Sequence, residues 1–530
     1  MKILTASEMQ RIDRLTTERF GVPSLTLMEN AGQGVVDFLA EKFAPLERHR
    51  ITILCGKGNN GGDGMVVARL LCGLGLKPRV LLFADPQSLR GDAAANYERL
   101  RATGMPEAVP SAEAWRALKG SLGDTTLFVD ALLGTGLAKP LEGLLLEVAR
   151  TINSNFPAAK VLAIDLPSGI SADKSDLNGE YVRANFSVTF TAPKIAHVFP
   201  PACEQAGEWV VKQIGTPPEA LEADPGLRLN YADPRDVAWI GKPRQAEGHK
   251  GNYGHVLVLA GSVGKTGAAA LAARAALRAG AGLVTVATSK SALPIISTLG
   301  LEFMTEALPE TDDGAISLRA LDYGRLDKLT AGKTVLAVGP GLGSHPETQE
   351  LVREIANRYA LPLVLDADGL NAFAGRMNEF HNTARPFGSV VFTPHPGEMA
   401  RLTGKTTAEI QSRRVEVARE FSQSFGLTLV LKGYRTLVAA PDGQVWVNPT
   451  GNAGMATGGT GDVLTGLVSG LLAQYPTRST SEIATAAVYL HGLAGDLAAG
   501  DLGQPSMLAG DLLERVPSAY KWLAGGIDDW

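Results

Sequence analysis

The sequence has few cysteines and no surplus of positive charge. Its 530 residues include three cysteines, Cys55, Cys72 and Cys203, and 50 basic residues stand against 55 acidic ones. The cysteines have no spacing of a zinc or redox motif, and so few thiols are typical of a reducing compartment. A net charge of −5, without a Lys/Arg cluster, argues against nucleic acid or an anionic membrane as the main partner.

Long apolar runs are missing as well. No stretch is long enough to span a bilayer, and no apolar run that would resemble a signal peptide follows the lysine near the start. The sequence therefore predicts a cytoplasmic protein. A chain of 530 residues is long for one core and predicts two domains.

Glycine is abundant, with 60 residues, and its most informative cluster is at residues 451–462 (GNAGMATGGTGD). The apolar residues 463–472 follow and are predicted to form a buried helix. Unpaired N–H groups and the helix dipole make such a helix start suitable for a phosphate. Asp462 is then placed to take a proton from a substrate hydroxyl beside that phosphate. The alternative is an ordinary glycine turn in which Asp462 caps the helix.

The first half opens with a predicted amphipathic helix at residues 7–15, with Ser7 as its N-cap and Gln10 at the capping-box position. A strand, a glycine loop and a further helix come later in this half. Residues 51–55 (ITILC) are a predicted buried strand, residues 56–64 (GKGNNGGDG) a loop and residues 65–71 a helix. The glycines satisfy the G-x-G-x-x-G spacing of dinucleotide-binding loops, and Asp85 follows the next predicted strand, where a ribose-binding acid is expected. A redox Rossmann domain is therefore a first interpretation.

Amide and acid residues within that loop argue against the redox interpretation. Asn60 and Asp63 offer oxygen atoms that suit a cation or sugar hydroxyls, although Asn60 also tolerates a tight turn. Two further predicted strands end at Asp130 and Asp165, each followed by a glycine-containing loop. Ligands of open parallel sheets bind beyond the carboxyl ends of the strands, so these segments are expected to form one site. Helix capping is the alternative role for each aspartate.

Together these motifs resemble the YjeF N-terminal family, the NAD(P)H-hydrate epimerases. The motifs are residues 58–64 (GNNGGDG), 130–136 (DALLGTG) and 165–169 (DLPSG), and residues 189–194 (TFTAPK) fit the same pattern. The resemblance covers about residues 1–215. It implies a Rossmann-like αβα sandwich that binds hydrated nicotinamide cofactor rather than using intact cofactor for hydride transfer.

The resemblance also implies residue roles in this half. Asp165 is the expected acid/base at the C6 carbon of the hydrate, and Asn60, Asp130 and Ser168 are the expected ligands of a potassium ion. The residues expected to line the hydrate are Asn59, Asn60, Gly61, Gly62, Asp63, Gly134, Thr135, Gly136, Leu137, Ala138, Lys139, Pro140 and Asp165.

Residues 216–226 are rich in proline and acidic residues and are predicted to be a linker. The boundary is expected near residue 225, with domains at 1–220 and 230–530. The second half again alternates predicted strands with helices, which predicts a mostly parallel sheet. Its predicted strands are residues 255–259, 283–287, 335–338, 363–365, 390–393 and 428–431.

Polar residues follow several predicted strands of the second half. His395 lies between two prolines, and ligand contact competes there with a structural role. Asp366 and Asp368 are candidates for magnesium beside phosphates, with helix capping as the alternative for Asp368. Lys432 is placed to meet a phosphate or to extend along apolar surface. No Cys/His spacing of a zinc site is present.

Residues 458–462 (GGTGD) resemble the anion hole and base of the ribokinase-like superfamily. With residues 249–251 (HKG), 393–398 (TPHPGE) and 431–433 (LKG), the closer match is the YjeF C-terminal family, the ADP- or ATP-dependent NAD(P)H-hydrate dehydratases. This resemblance covers about residues 230–525 and implies a C-terminal ribokinase-like αβα domain.

Both resemblances together imply a bifunctional repair enzyme. One half interconverts the R and S hydrates, and the other dehydrates the S form to NADH or NADPH with ADP, giving AMP and phosphate. Asp462 is the implied base, and Ala268, Gly341, His395 and Asp462 are expected to meet the hydrate. The expected ADP-binding residues are Lys432, Gly433, Tyr434, Arg435, Thr436, Asn452, Ala453, Gly454, Met455, Ala456, Thr457, Gly458, Gly459, Thr460 and Gly461. A magnesium ion with the ADP and a homo-oligomer are further expectations from the families.

Three rival functions stay open on the sequence. A ribokinase-like kinase would phosphorylate a small alcohol and release the phosphorylated product. A non-catalytic nucleotide sensor or scaffold is a second rival, although the presence of both Asp165 and Asp462 weighs against it. A dehydrogenase is disfavoured by Asn59 and Asn60 in the first glycine loop. Neither ADP against ATP nor NADH hydrate against NADPH hydrate is decided by the residues.

Overall fold

The computed structural model describes residues 1–103, 106–137, 139–383, 385–386 and 388–525. The chain divides into two compact units, Lys2–Leu227 and Arg228–Trp530, the latter together with Met1. No described helix combines the length and the apolar character that a membrane crossing requires.

The N-terminal unit is built on a parallel sheet of seven described strands. The strands are β1 (Ile51–Cys55), β2 (Arg79–Leu82), β3 (Glu107–Ala108), β4 (Leu127–Ala131), β5 (Lys160–Ile164), β6 (Phe186–Phe190) and β7 (Glu208–Lys212). Their order is β3-β2-β1-β4-β5-β6-β7. From β1 the following strands extend to one edge of the sheet, and from β4 they extend to the other edge. Doubly wound sheets bind their ligands at such a switch point.

Helices cover both faces of this sheet. They are α1 (Ala6–Glu18), α2 (Ser24–Lys42), α3 (Asn59–Gly73), α4 (Gly91–Arg101), α5 (Ala112–Leu118), α6 (Gly143–Asn155), α7 (Ile195–Val198), α8 (Ala202–Gln205) and α9 (Pro218–Glu222). Successive strand residues point to opposite faces. Ile53 accordingly packs in one buried cluster with Leu39 of α2, while Leu54 packs in another with Trp115 of α5 and Ile152 of α6. The predicted Rossmann-like αβα sandwich is confirmed.

The C-terminal unit contains a sheet of ten described strands. The strands are β8 (Leu229–Tyr231), β9 (His255–Leu259), β10 (Leu283–Ser289), β11 (Met304–Leu308), β12 (Val335–Val338), β13 (Leu363–Leu365), β14 (Val390–Phe392), β15 (Thr428–Leu431), β16 (Leu437–Ala439) and β17 (Val445–Val447). Their order is β11-β10-β9-β12-β13-β14-β15-β16-β17-β8. Only β16 runs antiparallel to its neighbours, so the sheet is mostly parallel, as predicted.

Helices also sandwich this second sheet. They are α10 (Pro234–Val237), α11 (Thr266–Arg278), α12 (Leu293–Ile296), α13 (Arg325–Thr330), α14 (Pro346–Arg358), α15 (Asp368–Asn371), α16 (Pro396–Thr403), α17 (Thr407–Ser412), α18 (Arg414–Phe425), α19 (Thr460–Gln474), α20 (Thr480–Leu502) and α21 (Ala509–Gly525). Val256 and Val258 of β9 join a buried cluster with α11, α19, α20 and α21. Leu257, on the opposite face, is also fully buried, which confirms the αβα architecture.

The buried helix α19 approaches α11 backbone to backbone. A Cβ on Gly466 would lie 2.2 Å from the carbonyl oxygen of Ala272, and one on Gly470 would lie 2.4 Å from that of Ala276. Side chains at these two positions would force the helices apart. These two glycines therefore allow α19 to pack closely against α11.

Local predictions differ from the structure in three places. Thr5, not Ser7, caps α1, because Thr5 accepts from the Glu8 N–H while the Glu8 carboxylate accepts from the Thr5 N–H at 2.8 Å. The predicted loop of residues 59–64 forms the first turns of α3. The predicted linker contains the helix α9. Ala220 of this helix and the nearby Leu227 are buried together with residues of α1.

Candidate active sites

A cavity of about 670 Å³ lies in the N-terminal unit, beyond the carboxyl ends of β1, β4 and β5. The residues predicted for the hydrate that line it are Asn59, Asn60, Asp63, Gly134, Thr135, Gly136 and Asp165. Gly61 and Gly62 lie in the first turn of α3, and Leu137, Lys139 and Pro140 follow β4 away from the described lining. Ala138 lies outside the described residues. The three motifs of the first half thus meet around one cavity.

Two glycines of the loop, Gly56 and Gly61, are needed for close backbone packing. A Cβ on Gly61 would lie 1.9 Å from the carbonyl oxygen of Gly56, and one on Gly56 would lie 1.9 Å from that of Leu132. Asp85 caps a short turn by accepting from the Gln87 N–H at 2.9 Å. The ribose-binding role considered for Asp85 therefore gains no support from its position.

Asp165 follows β5 at the cavity and is tied to a buried lysine. Its Oδ1 accepts from Lys194 Nζ and from Thr189 Oγ1, each at 2.8 Å. The Lys194 side chain is 1% exposed. Burial alone would raise the pKa of Asp165, but the neighbouring Lys194 ammonium outweighs it and holds that pKa below its ordinary value. Asp165 is therefore ionised and able to accept a proton.

The backbone of Asp165 is strained and held in place. Its φ of 65° is in the left-handed region, which costs a non-glycine residue about 1–3 kcal/mol. His197 Nε2 lies 2.8 Å from the Asp165 carbonyl oxygen, while His197 Nδ1 accepts from the Lys194 N–H at 3.1 Å. Burial lowers the pKa of His197 to about 4, so this ring is neutral and Nε2 donates. Strain at a site residue that neighbours hold in place is typical of functional positions.

Asp130 and Ser168 are brought together as predicted for a cation site. Asp130 is fully buried. Its Oδ1 accepts from Ser168 Oγ at 2.7 Å, and its Oδ2 accepts from the Ser168 N–H at 2.8 Å. Burial raises the pKa of Asp130 to about 6, and no Lys or Arg of the described residues forms an ion pair with it.

Asn60 lies beside the loop that follows Asp130. A Cβ on Gly134 would lie 3.0 Å from Asn60 Oδ1, and Asn60 Nδ2 is buried without a hydrogen-bond partner among the described residues. Turning the amide by 180° would present its oxygen at that position. A buried carboxylate without a counter-cation, a hydroxyl and an orphaned amide together fit a monovalent cation.

The glycine run of the C-terminal unit ends in the first turn of α19. Gly459 is the N-cap, with φ of 95° and no side-chain capping bond. Asp462 is therefore not the cap, and that alternative is wrong. Burial, and next the negative charge of Asp366, raise the pKa of Asp462 to about 7, while Lys432 opposes the rise. A pKa near neutral pH is the property that a general base requires.

An ion-pair network lies beside Asp462. Lys432 Nζ donates to Asp366 Oδ1 at 2.8 Å and lies 3.8 Å from Glu398 Oε2. Thr465 Oγ1 of α19 donates to Asp366 Oδ2 at 2.7 Å. Burial would lower the pKa of Lys432, but Asp366 and Glu398 outweigh it and raise that pKa. Lys432 therefore stays charged and does not simply extend along apolar surface.

His395 has a structural role at the start of α16. Its Nδ1 accepts from the N–H groups of Gly397 and Glu398 at 3.0 and 3.3 Å, and Glu398 Oε2 accepts from the His395 N–H at 2.8 Å. The ring is still 51% exposed. His395 can therefore both cap α16 and contact a ligand, the two roles that the sequence left as alternatives.

Ala268 and Gly341, predicted for the hydrate, lie together. A Cβ on Gly341 would lie 3.1 Å from the Ala268 Cβ. Asp368, next to this pair, accepts from Lys265 Nζ at 3.2 Å and from the Gly343 N–H at 2.8 Å. The N-cap of α15 is Ala367, so the capping role considered for Asp368 is wrong.

Asp496 of α20 ties down the predicted nucleotide loop. Its Oδ2 accepts from the Gly451 N–H at 2.8 Å, and its Oδ1 accepts from Asn452 Nδ2 at 2.9 Å. At the other end, Thr460 Oγ1 donates to the carbonyl oxygens of Met455 and Thr457, both at 3.0 Å. Ala453, Gly454, Ala456 and Gly458 lie between these anchors. Hydrogen bonds therefore hold the loop at both of its ends.

The predicted nucleotide-binding residues 432–436 follow β15 and lie near the glycine loop at Lys432. A Cβ on Gly461 would lie 3.3 Å from Lys432 Nζ. Further along, the Tyr434 side chain is exposed, and the Arg435 guanidinium lies 5.1 Å from its ring centroid. Thr436 Oγ1 donates to the Gly433 carbonyl at 2.9 Å. Lys432 and Gly461 are adjacent, while Tyr434 and Arg435 form a separate stacked pair.

Two residues that bear on the chemistry of the first cavity were given no role by the sequence. Asp13 of α1 and Lys194 both line it. The sequence placed Lys194 only in a matching pattern and Asp13 only in an amphipathic helix. The sequence could have pointed to Lys194, because this residue follows the strand next to that of Asp165. No sequence pattern pointed to Asp13.

Comparison with known proteins agrees with both halves. Residues 24–196 match the family described as YjeF-related protein N-terminus, and residues 256–518 match the family described as NAD(P)H-hydrate dehydratase. The bifunctional NAD(P)H-hydrate repair enzyme Nnr of Moorella thermoacetica is 44% identical, over 98% of this chain and 96% of that one. The enzyme of that name from Escherichia coli is 34% identical, over 96% and 92%.

Among solved structures, an ADP/ATP-dependent NAD(P)H-hydrate dehydratase from Bacillus subtilis, co-crystallized with ATP/Mg2+, is 33% identical. It covers 56% of this chain and 100% of its own, with a TM-score of 0.48. The full-length relatives decide the assignment, because they span both units. The chain belongs to the family of bifunctional NAD(P)H-hydrate repair enzymes.

Proposed function

We propose that the domain at residues 1–220 interconverts the R and S hydrates of NADH and NADPH, and that the domain at 230–530 dehydrates the S form with ADP. The family supports both activities. The observation that carries the proposal is an aspartate at each candidate site, Asp165 in the lining of the first cavity and Asp462 in the first turn of α19.

Dehydration proceeds through phosphorylation of the hydroxyl, because hydroxide is a poor leaving group and phosphate a good one. Asp462 takes the hydroxyl proton as that oxygen attacks the terminal phosphoryl group of ADP, releasing AMP. The amides of Gly458, Gly459 and Gly461 stabilise the charge on the transferring group. Phosphate then leaves C6 with the electron pair of the C–O bond, and loss of a ring proton restores the double bond.

Charge in the second site favours a nucleotide that arrives with magnesium. The charged groups that interact there are Asp366, Asp368, Glu398, Asp462, Lys265 and Lys432. Four carboxylates against two lysines leave surplus negative charge. Carboxylates beside phosphates suit Mg²⁺, and Asp366 and Asp368, which both act on the Asp462 carboxyl group, would hold the ion. When bound, the ion would neutralise phosphate charge.

In the first site, Asn60, Asp130 and Ser168 would hold a potassium ion, which would compensate the buried Asp130 carboxylate. Asp165 acts there as acid/base at C6. The proposed compartment is the cytoplasm, since a chain of 530 residues with three cysteines is typical of a reducing compartment. A homo-oligomer stays a prediction from the family.

Mixed R and S hydrates with ADP or ATP test both activities in the full chain. Absorbance of the restored nicotinamide and released phosphate follow dehydration, and chiral separation follows exchange. We expect Asp462→Asn to lose dehydration and keep exchange, and Asp165→Asn to lose exchange and keep dehydration of the S form.

The activity that each variant retains shows that its unsubstituted unit is folded, because the two activities lie in different units. A near wild-type dehydration rate in Asp462→Asn would exclude Asp462 as the base, and unchanged exchange in Asp165→Asn would exclude Asp165. Accumulation of phosphorylated hydrate without phosphate release would instead identify a kinase.

A further inference from the structure

The first cavity contains a carboxyl group that belongs to none of the family motifs. Asp13 projects from α1 and lines the cavity together with Asp165 and Lys194. Ile12 and Thr16 of the same helix are buried in the protein interior. Asp13 Oδ1 is buried and has no hydrogen-bond partner among the described residues. A buried polar atom without a partner costs free energy, so the fold keeps this carboxyl group at the cavity despite its cost.

The charges around the cavity give Asp13 and Asp165 different protonation states. Besides these two, the charged residues that line it are Arg14, Glu18, Lys57, Asp63, Asp92 and Lys194. Burial raises the pKa of Asp13 to about 6, with Lys194 opposing and Asp165 adding to the rise. Lys194 holds the pKa of Asp165 low. Carboxyl groups whose pKa values are pushed apart suit the roles of acid and base.

Inverting a carbon that carries a hydroxyl group requires two proton transfers. The C6–O bond breaks with its electron pair on oxygen, and the lone pair of the ring nitrogen forms a C6–N double bond. Water then adds to the other face of C6 and returns that pair to nitrogen. The departing hydroxide needs a proton and the incoming water must lose one, so an acid and a base at different positions are both useful.

We propose that Asp13 is the second catalytic residue of the epimerase cavity, donating a proton to the departing C6 hydroxyl while the Asp165 carboxylate accepts a proton from the incoming water. After one inversion Asp13 is a carboxylate and Asp165 an acid, which is the state that catalyses the reverse inversion. The inference rests on the proposed epimerase function. It places α1 beside C6 of the bound hydrate.

The test is Asp13→Asn in the full chain. General acid catalysis contributes about 10²- to 10⁴-fold, so R/S exchange should fall at least about 100-fold with KM within about twofold. Dehydration of pure S hydrate with ADP should be unchanged. Asp13→Glu keeps the acid and should exchange at least about tenfold faster than Asp13→Asn. The matched control is Asp37→Asn, which removes an exposed carboxylate from α2 and should exchange at the wild-type rate.

The outcomes separate this inference from the proposed function. If the wild type exchanges no hydrate, the proposed function is wrong. If the wild type exchanges, Asp165→Asn does not, and Asp13→Asn exchanges at the wild-type rate or changes only KM, this inference alone is overturned. Should Asp13→Asn not fold, the wild-type pH profile decides: exchange should decline as pH rises through about 6 to 7, and a flat profile from pH 5 to 8 overturns the inference.

Discussion

Removing the charge of Asp462 should stabilise the C-terminal unit while it destroys dehydration. Burial and the charge of Asp366 raise the pKa of Asp462 from 3.8 to about 7 in the folded protein. The unfolded chain lacks this environment, so its Asp462 keeps the ordinary value. Above pH 7 the folded protein holds a carboxylate where its surroundings favour the acid, and this lowers the free energy of unfolding.

The size and sign of the effect follow from these two pKa values. A pKa difference of about 3 corresponds to about 4 kcal/mol, and partial exposure of Asp462 reduces the expected gain to about 2–4 kcal/mol. Between about pH 4 and 7 the folded state keeps a proton that the unfolded state has lost. Wild-type stability from this group therefore falls as pH rises through that window and is level above it. Asp462→Asn does not titrate, so its advantage should grow from pH 4 to 7.

The assay is urea denaturation of the full chain without nucleotide at pH 5 and pH 8. Hydrogen exchange of peptides from α19 identifies the transition of the C-terminal unit. Glu350→Gln, an exposed carboxylate on α14, is the control and should stay within about 0.5 kcal/mol of wild type. If Asp462→Asn is no more stable than wild type at pH 8, or gains equally at both pH values, our account of the charges around Asp462 is wrong.

Two further substitutions test the networks around the sites. Lys194→Met removes the cation beside Asp165, so the pKa of Asp165 should rise and the acid limb of the R/S exchange profile should move to higher pH; an unmoved limb would contradict the pairing. Asp496→Asn replaces an acceptor of the Gly451 N–H or the Asn452 amide. Hydrogen bonds to a charged group contribute about 1.5–3 kcal/mol, so steady-state kinetics should show KM for ADP raised about tenfold with kcat nearly unchanged.

Local patterns were sufficient to predict most central strands. The strands at 51–55, 255–259 and 335–338 occupy the predicted residues, because each is a short apolar run ending in glycine or another turn residue. The edge strand β8 was not predicted, since its three residues pair with β17: Leu229 lies opposite Val445. Such pairing depends on residues far along the chain and leaves no local pattern.

The site residues divide in the same way, into those with a local sequence pattern and those that only the fold brings together. Motif residues such as Asp165 and Asp462 were found because loops at strand ends carry a recognisable order of glycine and acid. Asp13 was not, because on α1 it has the spacing of any solvated residue of an amphipathic helix, and only the tertiary fold brings it to the cavity. Thr5 was missed as a cap because Ser7 offered the same hydroxyl chemistry two residues later.

The contact between α19 and α11 has a consequence for how this protein can diverge. Where Gly466 and Gly470 meet the carbonyl groups of Ala272 and Ala276, the spacing of the two helices is set by main-chain atoms, which all residues share. Apolar side chains elsewhere in the surrounding core can be exchanged over generations while the first turn of α19 keeps its place. We expect many residues of this core to vary among related sequences and these two glycines to be conserved.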